Sequence, residues 1–124
     1  MAKNFEVINV LLDFYGDMLT DKQRSFIEYY YFDDLSLAEI AENEGITRQG
    51  VRDAIKRAEA QLFEMEERLG LAKRFEEVRT GLDEILECAE IINESNMRTG
   101  LSRDINEAVV RIKLIAQTLN NEEV

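Results

Sequence analysis

Apolar side chains recur along this chain at steps of three and four, the period of an amphipathic helix. Phe5, Ile8, Leu12, Tyr15 and Leu19 predict a first helix reaching about Tyr15. Thr20 followed by Gln23 is a capping box, in which hydroxyl and amide satisfy the N–H groups left unpaired where a second helix opens. That helix carries Phe26, Ile27, Tyr29, Tyr30, Tyr31 and Phe32. We read them as core rather than as base-stacking rings, because each buries a large apolar area. Asp33 and Asp34 break the pattern. Ser36 with Glu39 then opens a short helix through Leu37, Ile40 and Ala41 toward Asn43. After Gly45 and Ile46, Thr47 caps a much longer helix that buries Val51, Ile55 and Leu62 and runs toward Leu69.

Beyond that point the pattern is less decisive. Gly70 is a candidate C-cap, yet the stripe continues across it through Ala72, Phe75, Val78, Leu82, Ile85, Ala89 and Ile92. The sequence therefore leaves open whether the helix stops at Gly70. Gly81 weakens the later stretch without ending it. Residues 95–100 read as a loop, and Ser102 caps a last helix carrying Ile105, Val109, Ile112, Ala116 and Leu119 at heptad spacing. A single amphipathic helix cannot hide its stripe alone. The two C-terminal helices are thus expected to form a hairpin, or to bury their stripes against a second copy in a homodimer. Cys88, beside Ala89, is expected in that core as a small apolar residue.

The segment richest in information runs from Leu35 to Arg57. Ala41, Gly45 and Val51 have the spacing a helix-turn-helix requires. A small side chain at Ala41 lets two helices cross at close range, and Gly45 accepts the positive φ of a sharp turn. Ile46 and Val51 are expected to plug the angle between the helices. The second helix would then present Arg48, Gln49, Arg52, Asp53 and Lys56 outward, and its first turns are the part that meets base edges in a major groove.

Charge and composition sharpen this picture. The chain of 124 residues carries a net charge of −11, with no His, no Pro and one Cys. Absent His and a lone Cys exclude the usual zinc sites and the Ser-His or Cys-His nucleophiles, and no Gly-rich phosphate loop occurs. Acidic pairs such as Glu66-Glu67 and Glu76-Glu77 read as solvated helix faces, so we expect neither an enzyme nor a cofactor. With no apolar run long enough to span a bilayer and no secretory leader, the chain reads as soluble and cytoplasmic, without a membrane partner. Yet by counting, residues 47–58 hold Arg48, Arg52, Lys56 and Arg57 against Asp53 alone, a net of +3. That island is what a phosphate-facing helix needs. The plainer reading is a basic helix that pairs with the acidic helices nearby.

Residues 35–62, above all Ser36-Leu37-Ala38-Glu39-Ile40-Ala41 and Val51-Arg52-Asp53-Ala54-Ile55-Lys56-Arg57-Ala58, resemble the region 4 helix-turn-helix of bacterial sigma-70 factors. The wider pattern is closer to the YlxM family of small bacterial proteins. It includes the N-terminal helix, the Leu19-Thr20-Asp21-Lys22-Gln23 entry, the Tyr-rich second helix, Thr47-Arg48-Gln49-Gly50-Val51 and the Glu-rich tail. The resemblance implies an all-α fold: a sigma-70 region 4-like helix-turn-helix domain over residues 1–70, its motif at about 36–58, followed by an acidic C-terminal helical extension or hairpin over 71–124. It implies a DNA-binding regulatory protein whose genes lie beside those for the signal recognition particle GTPase or its receptor. It also assigns DNA contact to Thr47, Arg48, Gln49, Arg52, Asp53 and Lys56; Arg57 joins them as a phosphate anchor. Nothing in the chain resembles a promoter-melting region, so sigma activity is not expected.

Two functions compete. One is a DNA-binding regulator, with Arg48, Gln49 and Arg52 reading bases and Lys56 and Arg57 holding phosphates. The other is an interaction module of the signal recognition particle pathway, its acidic helices (14 acids and 8 bases by counting over 62–124) engaging a basic protein component without reading DNA. RNA binding ranks lowest, since the tyrosines are better explained as core.

Overall fold

A computed structural model describes residues 4–121. Its helices are α1 (Phe5–Tyr15), α2 (Asp21–Tyr31), α3 (Leu37–Glu44), α4 (Arg48–Leu69), α5 (Leu71–Thr99) and α6 (Arg103–Asn120), with a 3-10 turn at Gly16–Met18. No strand occurs among the described residues, and the fold is all-α as the pattern predicts. The chain divides into two compact units between Ala72 and Lys73.

In the first unit the local start signals act as read. Thr20–Gln23 and Ser36–Glu39 both form complete capping boxes, and Thr47 caps α4. The helices exist because their stripes converge: α4 packs against α1, α2 and α3. Ile8, Tyr15, Ile27, Ile40, Val51, Ile55 and Leu62 are the largest side chains sealed in the resulting core. Of the second-helix aromatics, Phe26, Tyr30 and Tyr31 are buried and Tyr29 packs against the cluster, whereas Phe32 is exposed at the end of the helix. Phe5 is likewise not buried, but its ring meets Tyr31 edge-on at 5.7 Å.

Three side-chain hydrogen bonds clamp α4 in register against α1 and α2. The Tyr31 hydroxyl donates to Glu59 Oε1 (2.7 Å), Gln23 Nε2 donates to Gln61 Oε1 (2.6 Å), and the Tyr15 hydroxyl donates to Glu66 Oε1 (2.6 Å). Burial, reinforced by these carboxylate acceptors, raises the pKa of Tyr15 and of Tyr31 above the ordinary phenol value. The stop that the sequence left open is real. Gly70 adopts φ +63° and ends α4. Glu66 and Tyr15 then receive the first N–H groups of the next helix: Leu71 N donates to the Tyr15 hydroxyl (3.1 Å) and Ala72 N to Glu66 Oε1 (3.0 Å).

The second unit is an antiparallel hairpin of α5 and α6. Its bend is shorter than the predicted loop, because α5 continues through Ser95–Met97 to Thr99. The reason is a tertiary contact. Asn96 is buried, its Nδ2 donates to Ser102 O (3.0 Å), and Ser102 N donates to its Oδ1 (2.7 Å), so one side chain from the last turns of α5 holds the start of α6. Along the hairpin, Lys113 pairs with Glu90 and Asn120 Nδ2 donates to Asp83 Oδ1 (2.7 Å). Among the described residues its buried apolar side chains are Ala89, Val109 and Ala116 alone. Val78, Ile85 and Ile92, and Ile105, Ile112 and Leu119, expected inside, are exposed. Cys88 is exposed too. Facing helices close the seam on one row of small residues, which leaves the neighbouring row, with Cys88 in it, outside.

Candidate nucleic-acid interface

The turn between α3 and α4 is built by a glycine and an alanine. Gly45 sits at φ +69°, ψ 32°, the left-handed region that costs other residues about 1–2 kcal/mol. Its N–H and that of Ile46 (3.1 Å) both reach back to Ala41 O. Buried Ala41 keeps the two helices close, and Val51 fills the angle between them without measurable exposure. Ile46 does not share that role. It precedes the N-cap, lies over the first turn of α4 and is 39% exposed. Thr47, extended at ψ 155°, turns its Oγ1 inward to accept from Gly50 N (3.0 Å). Gly50 matters here for space rather than for its backbone. A Cβ there would stand 3.1 Å from that cap oxygen, tighter than ordinary van der Waals contact. This crowding depends on where the Thr47 side chain goes.

Along α4 each residue advances about 100°. Val51, Ile55, Ala58 and Leu62 lie on the buried side. Gln49, Asp53 and Lys56 fall opposite them, with Arg48 and Arg52 along one flank and Arg57 along the other. All six are exposed, as is Thr47. The structure thus gathers six of the sequence-designated residues on the outer surface of one helix, with Thr47 at its N-cap. Within the row, Gln49 Nε2 donates to Asp53 Oδ1 at 2.9 Å, which pre-orients the amide.

Several cations elsewhere in the chain are held by carboxylates. Arg24 is held between Asp17 (2.8 Å) and Glu28 (3.0 Å), and its hydrogen bond to Glu28 chiefly raises its pKa. Arg68, Arg74, Arg103 and Lys113 also pair with carboxylates. Among the described residues Arg48, Arg52, Lys56 and Arg57 have no ion pair, and neither have Lys22, Arg79, Arg98 and Arg111; what sets the first four apart is that they cluster within ten residues of one helix. The plainer reading, a basic helix neutralised by its acidic neighbours, thus has no ion pair to rest on within the first unit. No group of three or more His, Cys, Asp or Glu among the described residues is arranged to hold a metal ion. No helix there is long and apolar enough to cross a membrane.

A family model described as "Putative helix-turn-helix protein, YlxM / p13 like" matches residues 2–101. The chain belongs to this family. Among YlxM / p13-like relatives, a UPF0122 protein of Thermoanaerobacter sp. (strain X514) is 45% identical over 91% of this chain and 97% of its own length. The UPF0122 protein of Caldanaerobacter subterraneus subsp. tengcongensis is 50% identical over 71% of this chain and 75% of its own. That of Bacillus velezensis is 45% identical over 76% and 86%. The resemblance to the YlxM family, read from the wider pattern, is thus correct.

Proposed function

We propose that this chain is a DNA-binding regulator that lays the first turns of α4 in the major groove. The observation that carries the reading is the set of four exposed cations on α4 left without carboxylate partners in a chain of net charge −11. Free cations on one face neutralise phosphates and release counterions; paired ones do not. The outermost row gives Gln49 and Asp53 the groove floor. A glutamine amide matches adenine N6 and N7, and a carboxylate accepts from cytosine N4. Arg48 and Arg52 then flank the row, Lys56 and Arg57 reach phosphates, and Thr47 stands at the N-terminal edge. The acidic remainder of the chain repels the backbone, so binding is selective rather than promiscuous.

The test is binding of the full chain to fragments of its own genome at low and moderate salt. Some fragments should be retained well above background. Arg52→Ala should weaken binding to all of them and reduce the slope of log K against log salt by about 1. Retention of no fragment at low salt would end this reading.

A second reading rests on the family resemblance and on the carboxylates of α5, where Asp83, Glu87, Glu90 and Glu94 fall on one flank. In it the chain takes part in the signal recognition particle pathway by engaging a basic protein component of that machinery. Purified targeting components mixed with the chain discriminate the two: association that weakens with salt and survives Arg52→Ala favours the second.

A further inference from the structure

The hairpin of α5 and α6 has two unlike sides. On one, Val78, Ile85 and Ile92 of α5 are spaced by seven residues, as are Ile105, Ile112 and Leu119 of α6. A shallow apolar groove lined by Gly81, Ile85, Cys88, Ala89, Ile92 and Ile112 runs between the helices, so both stripes open on the same face. The six stripe residues are 38–48% exposed, and Ile115 beside them is 54% exposed. On the other flank of α5 stand Asp83, Glu87, Glu90 and Glu94, and there Lys113 and Asn120 cross from α6 to Glu90 and Asp83.

We propose that a second copy of this chain covers the apolar face, the two hairpins closing into a four-helix bundle. The first argument is the missing core. With three buried apolar residues, two of them alanines, the hairpin lacks the burial that two helices need to hold each other. A seven-residue repeat on both helices is the spacing by which helices pack against helices along their length, and one antiparallel pair is half of a four-helix bundle. The second argument is size. Monomers rarely expose one apolar patch beyond about 300–600 Å², and seven aliphatic side chains left near half-exposed on one face approach that bound. The third is charge. Of the residues lining the groove only Glu84 is charged, so the groove can meet its own image in an isologous contact, whereas the acidic flank of α5 would repel its copy. A bundle of this kind gives each assembly two α4 helices, but the inference stands whether or not α4 binds DNA.

Sedimentation and thiol reactivity of the full chain test it together. The wild type should sediment at twice 14.4 kDa at about 100 μM. Cys88 should react with a thiol reagent at least about tenfold more slowly than in denaturant, and faster on dilution. Ile85→Glu and Ile112→Glu should each weaken association by at least about tenfold and speed the reaction of Cys88. Val110→Glu, on the opposite flank of α6, should change neither. If a glutamate variant loses helicity, Ile85→Ala replaces it and should still raise the dissociation constant. A monomer at this concentration overturns the proposal, whether its Cys88 is free or protected by the rest of its own chain. A dimer that both glutamate variants leave intact, or one in which Cys88 reacts as fast as in denaturant, overturns it equally.

Discussion

In residues 4–72 the apolar stripes of four helices converge on one of them, α4, and fifteen residues form a single buried cluster. In residues 73–121 two helices with an equally regular stripe bury three apolar residues. The period is the same in both, so the pattern alone does not make a core. Elements on different sides of α4 make it in the first unit, and the hairpin presents its stripe to nothing in its own unit. Polar contacts divide in the same way. The first unit uses buried tyrosines to clamp carboxylates of α4, as additions to packing. The second relies on Asn96, Lys113 and Asn120 to hold two helices that packing scarcely joins.

The largest expected difference follows from truncating a core residue in each. Ile55→Ala removes a sealed side chain from the heart of the first unit and should cost about 3 kcal/mol in denaturant unfolding followed by circular dichroism. Val109→Ala, the largest buried apolar change available in the hairpin, should cost less than about 2 kcal/mol, since its surroundings are open on one side. Equal costs would mean that the hairpin is packed as tightly as the first unit, and the contrast would fall.

The two bends offer a second, smaller contrast. In the first unit the α3–α4 turn is set by backbone: Gly45 accepts a positive φ and Ala41 supplies the acceptor. In the hairpin a side chain sets it. Asn96→Ala leaves both the N–H and the carbonyl of Ser102 without their partner and should cost about 2 kcal/mol. Amide hydrogen exchange should accelerate at Leu101 and Ser102 while the amides of α4 keep their protection. Acceleration spread across α4 would show that the bend and the first unit unfold as one.

What was legible in the sequence follows the range of the forces involved. Caps at Thr20, Ser36, Thr47 and Ser102 were readable because a side chain acts on an N–H three residues on. The helix-turn-helix was readable for the same reason, as Ala41, Gly45 and Val51 act within one turn. Residues 95–100 were misread because Asn96 looks like a loop former until its partner across the bend is known. Ile46 and Cys88 were misread because periodicity gives a side but not what lies against it. Gly70 could be placed only with Tyr15, more than fifty residues away, receiving the N–H of Leu71. The outward row on α4 was legible residue by residue, but the absence of acid partners for its cations was not, since ion pairing depends on which helices come near.

The smallest effect is one that only the first unit should display, at alkaline pH. The phenols of Tyr15 and Tyr31 are held above the ordinary value near 10 by burial first and then by hydrogen bonds donated to Glu66 and Glu59. A group whose pKa is higher folded than unfolded lends stability that is complete below the unfolded value and disappears as pH rises through the folded one. Neutral and mildly basic solutions should therefore leave the unfolding free energy of the first unit unchanged by these groups. Above about pH 10 the unfolded chain releases both protons while the folded chain keeps them, and stability should fall by about 1.4 kcal/mol per pH unit for each tyrosine. Tyr31→Phe should cost about 1 kcal/mol at neutral pH through the lost bond to Glu59 and should roughly halve that alkaline slope. Tyrosinate absorbance should rise together with the loss of helicity, because the phenols ionise only where the clamp on α4 has opened. Ionisation well before unfolding would mean that the hydroxyls are not sealed against α4, and the first unit would then resemble the hairpin in resting on polar contacts that water can reach.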